Sequence, residues 1–131
     1  MSPRTKQNLQ TAMRGEGFAH LEYLLFAEQA RREGYPEVAD LFERTAKVEG
    51  LEHFAEEAEL AGVVGATAQN LQTAIAGESY EVTTMYREFA EQAAEDGDTA
   101  AAVRFSEIWG DESGHRAAYQ KALEGLKVKA T

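Results

Sequence analysis

The hydrophobic positions of this chain recur every three to four residues over long stretches, which is the period of an amphipathic α-helix. Gly34 followed by Pro36, and Gly97 followed by Asp98, are typical of places where one helix ends and another begins. The stretch AGVVGATAQN (61–70) is the least helical part of what remains. We therefore predict an all-α fold with four helices, over residues 4–33, 36–61, 68–96 and 98–127.

The two halves of the sequence repeat each other, which indicates that a helical hairpin has been duplicated. FAEQA occurs twice, 63 residues apart, and Glu49 and Glu112 are separated by the same number. A Gly-Glu pair that precedes each repeat recurs after only 62 residues, at Glu16 and Glu78, so the third helix carries one extra residue. Because a π-bulge accommodates one extra residue within a helix, we predict such a bulge near residues 81–86.

Composition and charge exclude several classes of function. The chain has 13 Lys and Arg against 23 Asp and Glu, and a formal charge of −10 repels nucleic acid and anionic lipid. The absence of cysteine excludes a disulfide framework, a thiolate zinc site, an iron–sulfur cluster and a catalytic thiol. No segment approaches the roughly 18 to 20 apolar residues of a membrane span, and residues 1–18 lack a signal-peptide core. We expect a cytoplasmic protein that binds neither nucleic acid nor membrane.

Carboxylates interrupt the apolar stripe of every predicted helix, about halfway along its length. The fourth helix, for example, places Glu112 and His115 between Ile108 and Tyr119. Burying several carboxylates in one layer without countercharge is prohibitively costly, and few Lys or Arg lie on these stripes. Bound cations are the natural countercharge, and this number of carboxylates suits two cations better than one. The inner polar residues are Glu16, Glu49, Glu52, Glu78, Glu81, Glu112 and His115.

The spacing of these residues strengthens the prediction of a metal site. Three pairs are separated by three residues and so lie on one helix face, namely Glu49 and Glu52, Glu78 and Glu81, and Glu112 and His115. Four-helix di-iron carboxylate proteins use one Glu from each of two helices and Glu-x-x-His from each of the other two. The same register in two duplicated halves therefore favours a two-metal centre.

With these motifs, the sequence resembles the ferritin-like di-iron domain of the rubrerythrins. NLQTAIAGESYEVTTMYREFAEQAAEDGD (70–98) is similar to the third-helix motif of that family, and YPEVADLFERTAKVE (35–49) resembles its second helix. The resemblance covers residues 8–127 and implies a single ferritin-like four-helix bundle over 1–131, with two irons and peroxide reduction as the usual activity. It implies the carboxylate ligands Glu16, Glu49, Glu78 and Glu112, an exchangeable ligand Glu81, and the nitrogen ligand His115.

The first half departs from the family pattern. Where rubrerythrins have Glu-x-x-His, this chain has EGLEH, so that Glu52 stands at the expected histidine position and His53 follows it. One residue is about 100° around a helix, so His53 needs local rewinding to replace Glu52. We favour Glu52 as the ligand, with His53 behind it or on the surface. The family's exchange of a histidine for Glu81 then lacks its histidine, and His20 is either a replacement nitrogen ligand or a hydrogen-bonded core residue.

A second departure concerns the electron supply. The rubredoxin-like domain of rubrerythrins needs four cysteines, which this sequence lacks. Electrons would then come from an external donor such as a rubredoxin-like protein, or the site would take electrons from its substrate. We expect two iron ions, one or both replaceable by manganese, and hydrogen peroxide or dioxygen as the substrate. Glu81, Tyr23 and Tyr86 are the candidate catalytic residues, although tyrosine on such a stripe is also typical of core. The alternatives are an iron-oxidising or iron-handling ferritin-like protein and a structural bundle with a degenerate site.

The connection between the second and third helices predicts a domain-swapped homodimer. In a ferritin-like bundle these helices are parallel, so their connection must cross the length of the bundle. The helical stretches from Glu49 to Ala61 and from Asn70 to Glu78 together rise about 30 Å. Residues 62–69 reach only about 26 to 29 Å when fully extended, which leaves nothing for lateral travel. We therefore expect the first two helices of one chain to complete a bundle with the last two of another.

Overall fold

A computed structural model describes the backbone of residues 1–130 and the side chains of residues 1–127. Two π-helices, Val48–Phe54 and Glu81–Met85, continue α-helices on both sides without a break. The described residues form four continuous helical segments and no strand, which confirms the all-α prediction. The α-helices are α1 (Pro3–Arg32), α2 (Pro36–Lys47), α3 (Ala55–Ala61), α4 (Thr67–Tyr80), α5 (Tyr86–Glu95) and α6 (Thr99–Ala130).

The helix ends follow the signals in the sequence. At the start of α1, the Ser2 hydroxyl accepts a hydrogen bond from the Thr5 amide at 3.2 Å. Gly34, Gly62 and Gly97 follow the ends of α1, α3 and α5 with φ angles of 83°, 65° and 81°. A side chain with a Cβ rarely adopts this left-handed conformation, so glycine allows the chain to leave each helix there.

Residues 1–64 form one compact unit, in which α1 packs against α2, the first π-helix and α3. Helices α1 and α2 are antiparallel. The Arg31 guanidinium lies 3.0 Å from Asp40 near the turn that joins them, and His20 contacts Ala46 further from that turn. Alanines at the contact let the helices approach closely. The centre of this core consists of Ala27, Ala30 and Ala39, with Phe42 packed against them.

The described residues from Gly65 onward form a second compact unit, in which α6 packs against α4, the second π-helix and α5. The ring of Phe105 lies 6.2 Å from Tyr86 and 5.6 Å from Phe89. The first unit repeats this aromatic triad, because the ring of Phe42 lies 5.9 Å from Tyr23 and 5.4 Å from Phe26. The internal repeat of the sequence is therefore also a repeat of packing.

One of the two π-helices is predicted by the sequence and the other is not. The prediction of a π-bulge near residues 81–86 is confirmed by the π-helix Glu81–Met85. The π-helix Val48–Phe54 was not predicted. It lies in the second helix of the first unit, over the stretch that contains EGLEH, and it changes which residue faces α1.

The segment between α3 and α4 is short. α3 ends at Ala61 and α4 begins at Thr67, so the connection is shorter than the expected 62–69. The side chain of Asn70 reaches back and accepts the Gly65 amide at 2.8 Å, and Gln69 accepts the Ala66 amide at 3.0 Å. These bonds satisfy amides at the start of α4 and hold the loop close to it. Across the described part of the chain, no helix has the length and apolarity that a membrane crossing requires.

Large apolar side chains remain exposed on both units. In the first unit the exposed fraction is 69% for Phe18 and 66% for Leu25. In the second unit it is 57% for Tyr80 and 54% for Val103. The buried residues, by contrast, are nearly all alanine. Exposed large apolar side chains around a small core of alanine are typical of units that pack against another element.

Candidate metal centre

The first unit brings two carboxylates and one imidazole together. Glu16 of α1 and Glu49 and His53 of the first π-helix each offer a ligand atom within 4.8 Å of the others. The Nδ1 atom of His53 lies 3.2 Å from Oε2 of Glu49 and 3.7 Å from Oε2 of Glu16. Both carboxylates are half-buried between the helices. This cluster is called group 1 below.

The second unit contains a matching cluster, called group 2, formed by Glu78, Glu112 and His115. Here the Nδ1 atom of His115 lies 3.2 Å from Oε2 of Glu112 and 3.9 Å from Oε1 of Glu78. Glu112 and His115 lie on α6, which is a regular α-helix at this point, and His115 is the third residue after Glu112. The two units therefore share the same kinds of potential ligand as well as the same packing.

The structure places His53, and not Glu52, in group 1. The sequence predicts Glu52 as the ligand, because Glu52 stands three residues after Glu49, as His115 stands three residues after Glu112. The first π-helix supplies the local rewinding that His53 required, and it leaves the side chain of Glu52 exposed and outside both groups. A π-helix has more residues per turn than an α-helix, so the fourth residue after Glu49 can occupy the place that the third would take.

A signal for this rearrangement was present in the sequence. The offset between equivalent residues is 63 for Glu49 and Glu112 but 62 for His53 and His115. The same change of offset in the third helix led to the correct prediction of the π-helix Glu81–Met85. The second helix therefore contains one more residue between Glu49 and His53 than the fourth helix contains between Glu112 and His115, and the first π-helix lies there.

The two carboxyl groups of each pair affect each other's pKa in opposite directions. In group 1, a hydrogen bond between the side chains raises the pKa of Glu16 and lowers the pKa of Glu49. In group 2, the hydrogen bond to Glu112, and then burial, raise the pKa of Glu78 to about 7. The same hydrogen bond lowers the pKa of Glu112. One carboxyl group of each pair therefore holds its proton to a higher pH than the other, as expected for two acids at close range.

The two histidines lie beside the lowered-pKa carboxylates. Hydrogen bonds to Glu49 and Glu112 raise the pKa values of His53 and His115 respectively. These shifts favour the protonated imidazole, whose positive charge opposes the negative charge that a divalent cation would otherwise balance. Binding of such a cation must displace these protons, because a metal ligand needs its lone pair free.

The donor set fits a metal ion. The Oε2 atom of Glu78 is buried and has no hydrogen-bond partner among the described residues. A buried carboxylate oxygen in this state is costly, and a cation beside it removes the cost. Two carboxylates with one imidazole suit Fe²⁺ and Mn²⁺, which take mixed oxygen and nitrogen ligands. Glu57, near Glu16, presents a second buried oxygen of this kind.

The remaining candidate residues surround the two groups. Glu81 is half-buried beside Glu112, and its pKa is raised by burial first and then by the Glu112 charge. Burial, followed by the charge of Glu81, also raises the pKa of Tyr86. Tyr23 belongs to the aromatic triad of the first unit. His20 lies outside both groups, and its Nδ1 atom lies 2.6 Å from the carbonyl oxygen of Ala46, as expected for a hydrogen-bonded core residue.

The sequence matches the model of a known protein family. The model of the family described as Rubrerythrin matches residues 7–53 and 47–123. This chain belongs to the rubrerythrin family. Membership, together with groups 1 and 2, identifies a ferritin-like protein of the di-iron class.

Several rubrerythrins resemble this chain along most of its length. Rubrerythrin of Porphyromonas gingivalis is 38% identical over 133 residues, covering 92% of this chain and 66% of the relative. Rubrerythrin of Nitratidesulfovibrio vulgaris is 34% identical over 137 residues, covering 95% of this chain and 71% of the relative. A solved structure of nigerythrin in a partially reduced state is 33% identical, with a TM-score of 0.49, and covers 94% of this chain and 67% of that one. The chain thus spans about two thirds of the length of these relatives.

Proposed function

We propose that this protein is a non-haem di-iron peroxidase that reduces hydrogen peroxide with electrons from a separate donor protein. The observation that carries the proposal is the presence of two equivalent groups, each with two paired carboxyl groups and one imidazole. Two equivalent half-sites suit two metal ions that act together on one small oxidant. Dioxygen is the second oxidant that such a centre accepts.

Under this proposal the ligands are divided evenly between the halves of the chain. Glu16, Glu49 and His53 would hold one metal, and Glu78, Glu112 and His115 would hold the other. Glu81 lies close enough to Glu112 to serve as an additional carboxylate of the second half-site. Two ferrous ions bound there would supply the two electrons that reduction of hydrogen peroxide needs.

One of the protein's own residues is a proton donor for this reaction. Reduction of hydrogen peroxide to two waters consumes two electrons and two protons. Glu78 would give up its proton on binding a metal, so it is a ligand and not a donor in the loaded protein. Tyr86 is half-buried beside Glu81 and keeps its phenolic proton, since its pKa is raised. We assign Tyr86 as the side chain that passes a proton to the reduced oxidant, and solvent supplies the other proton.

We further propose that two chains exchange halves to complete the site. In a ferritin-like bundle the second and third helices are parallel. If one chain held both Glu49 and Glu78 at the same level of the bundle, the loop between these helices would have to span the rise of both helical stretches. The stretches from Glu49 to Ala61 and from Thr67 to Glu78 rise roughly 34 Å in total. The five residues between these helices reach about 22 Å when extended. The exposed apolar side chains on each unit supply the surface for a second copy.

Steady-state peroxide consumption tests the activity. Anaerobically iron-loaded protein is mixed with a chemically reduced rubredoxin-like donor and hydrogen peroxide, and donor oxidation is followed by absorbance. We expect sustained turnover, with Glu78→Gln strongly impaired and Glu107→Gln unaffected. Glu107 is a matched control, because it lies on α6 in an exposed ion pair with Arg104. Oxidation of added ferrous iron without sustained donor turnover would instead assign the protein to iron handling.

A further inference from the structure

His20 contacts the backbone where the first π-helix begins. Its side chain is half-buried between α1 and α2, and its Nδ1 atom lies 2.6 Å from the carbonyl oxygen of Ala46. A carbonyl oxygen only accepts hydrogen bonds, so Nδ1 carries the proton and donates it. Ala46 is completely buried and lies two residues before Val48, the first residue of the π-helix.

The imidazole of His20 also fills the space over Gly50, within the π-helix. A Cβ atom added to Gly50 would lie 2.5 Å from Nδ1 of His20 and 2.7 Å from its Cγ atom. Real Cβ atoms essentially never approach ring atoms this closely, so a side chain at position 50 and the imidazole in its present place exclude each other. His20 and Gly50 therefore form a complementary pair.

The second unit lacks this pair and lacks the corresponding π-helix. With the offset of 62 that relates Glu16 to Glu78, the counterpart of His20 is Val82, which is buried and has no side-chain donor. With the offset of 63, the counterpart of Gly50 is Ser113, which bonds to Trp109 within its own helix. α6 is a regular α-helix there and reaches its histidine after three residues.

We infer that His20 is a positioning residue that holds the π-helix Val48–Phe54 and thereby delivers His53, and not Glu52, to Glu49. A switch from i+4 to i+5 bonding disturbs the hydrogen-bond ladder at its boundary, so the π-form needs support from outside the helix. The bond to Ala46 and the packing over Gly50 provide that support. Without them the helix returns to α geometry and turns Glu52 toward α1. His20 thus selects nitrogen over oxygen as the third ligand of group 1.

The effect of His20 on the metal ligands rests on the proposed metal centre. Its effect on the position of His53 does not, because that position can be determined in metal-free protein. His20→Val installs the residue of the second unit and removes the donor. His20→Asn keeps a donor near the position of Nδ1 and is the conservative control. Deletion of Glu52 from His20→Val shortens EGLEH to Glu-x-x-His, which a regular α-helix can present as α6 does.

Co²⁺ is the probe for the ligand set. In Co²⁺-loaded protein, each coordinated histidine gives one hyperfine-shifted, exchangeable ring N–H signal in the proton NMR spectrum. We expect two such signals in the natural chain and in His20→Asn, and one in His20→Val. The deletion of Glu52 should restore the second signal to His20→Val. Co²⁺ affinity at the first unit should fall about 10- to 100-fold in His20→Val and recover in the deletion variant.

A metal-free crystal structure of His20→Val separates this inference from the proposed function. A regular α-helix over residues 48–54, with Glu52 instead of His53 beside Glu16, supports the inference even if the chain takes up no Co²⁺. A π-helix that persists in His20→Val, with His53 still beside Glu16, overturns it whatever the metal content. Two ring N–H signals in Co²⁺-loaded His20→Val would overturn it as well.

Discussion

The Nδ1 atom of His53, four residues after Glu49, lies 3.2 Å from Oε2 of Glu49, whereas the second unit uses His115, three residues after Glu112. The side chain of Glu52, one residue before His53, is exposed. Both halves of the chain consequently present the same donor set, one imidazole with two carboxylates, despite different spacing in the sequence. The first π-helix lies over this longer spacing, so the equivalence of groups 1 and 2 coincides with a helical irregularity.

His53→Ala should weaken metal binding at the first unit, whereas Glu52→Ala should leave it nearly unchanged. Loss of the imidazole removes one ligand of three in group 1, and we expect the affinity for Mn²⁺ to fall on the order of tenfold or more. Glu52 is the matched control, because it is adjacent, exposed and outside both groups. Calorimetric titration of metal-free protein measures both changes. Equal losses in the two variants would contradict the placement of His53.

The stability of the metal-free protein should fall as the pH rises from 5 to 8. The pKa of Glu78 is raised from 4.5 to about 7, so the folded state keeps a proton that the unfolded state releases. This contribution is complete below about pH 4.5 and is lost as the pH rises through about 7. The lowered pKa of Glu112 acts in the opposite sense, but only below its usual value of 4.5.

Thermal unfolding followed by circular dichroism at pH 5, 6, 7 and 8 measures this effect. Glu78→Gln should flatten the curve between pH 5 and 7, and Glu107→Gln should reproduce the natural pH dependence. The raised pKa values of His53 and His115 leave a smaller decline above their usual value of 6.5 in every variant that retains them. An unchanged slope in Glu78→Gln would show that the retained proton does not lie in this pair.

Replacing Glu57 should stabilise the protein when no metal is present. The Oε2 atom of Glu57 is buried without a hydrogen-bond partner among the described residues, an arrangement that costs about 1 to 3 kcal/mol. Glu57→Met keeps the length of the side chain and removes the polar oxygens, so the melting temperature should rise. Glu56→Met alters the adjacent exposed position of α3 and should change stability little. A lower melting temperature for Glu57→Met would indicate that this oxygen is satisfied in solution.

Mixing two defective chains should restore one intact site if the halves are exchanged between copies. Glu49→Ala damages only group 1, and Glu112→Ala damages only group 2. In an exchanged heterodimer, the undamaged first unit of one chain meets the undamaged second unit of the other. Co-expression, with separation by different affinity tags, should therefore give heterodimers with about half the peroxide turnover of the natural protein. If each chain builds its own site, every site in the mixture keeps one defect and nothing is restored.

Much of the local structure followed from the sequence because its causes are local. Gly34 and Gly97 end helices through their own backbone freedom, and the fourth-helix pair Glu112 and His115 meets because three residues nearly complete a turn. The π-helix Glu81–Met85 was predicted from one extra residue in the repeat. The second helix contains the same kind of extra residue between Glu49 and His53, but regular α-helical spacing alone points to Glu52.

The sequence by itself determined that this chain forms four helices in two equivalent hairpins and that each hairpin carries carboxylates and a histidine at mid-length. Helical period, glycine at the helix ends and the internal repeat are properties of neighbouring residues. Only the tertiary structure decided which side chain completes group 1. The helix can place its extra residue in more than one way, and His20, which lies 26 residues before Ala46, contributes a hydrogen bond that no local pattern contains. The packing of α1 against Gly50 therefore brings His53 to Glu49 and leaves Glu52 in solvent.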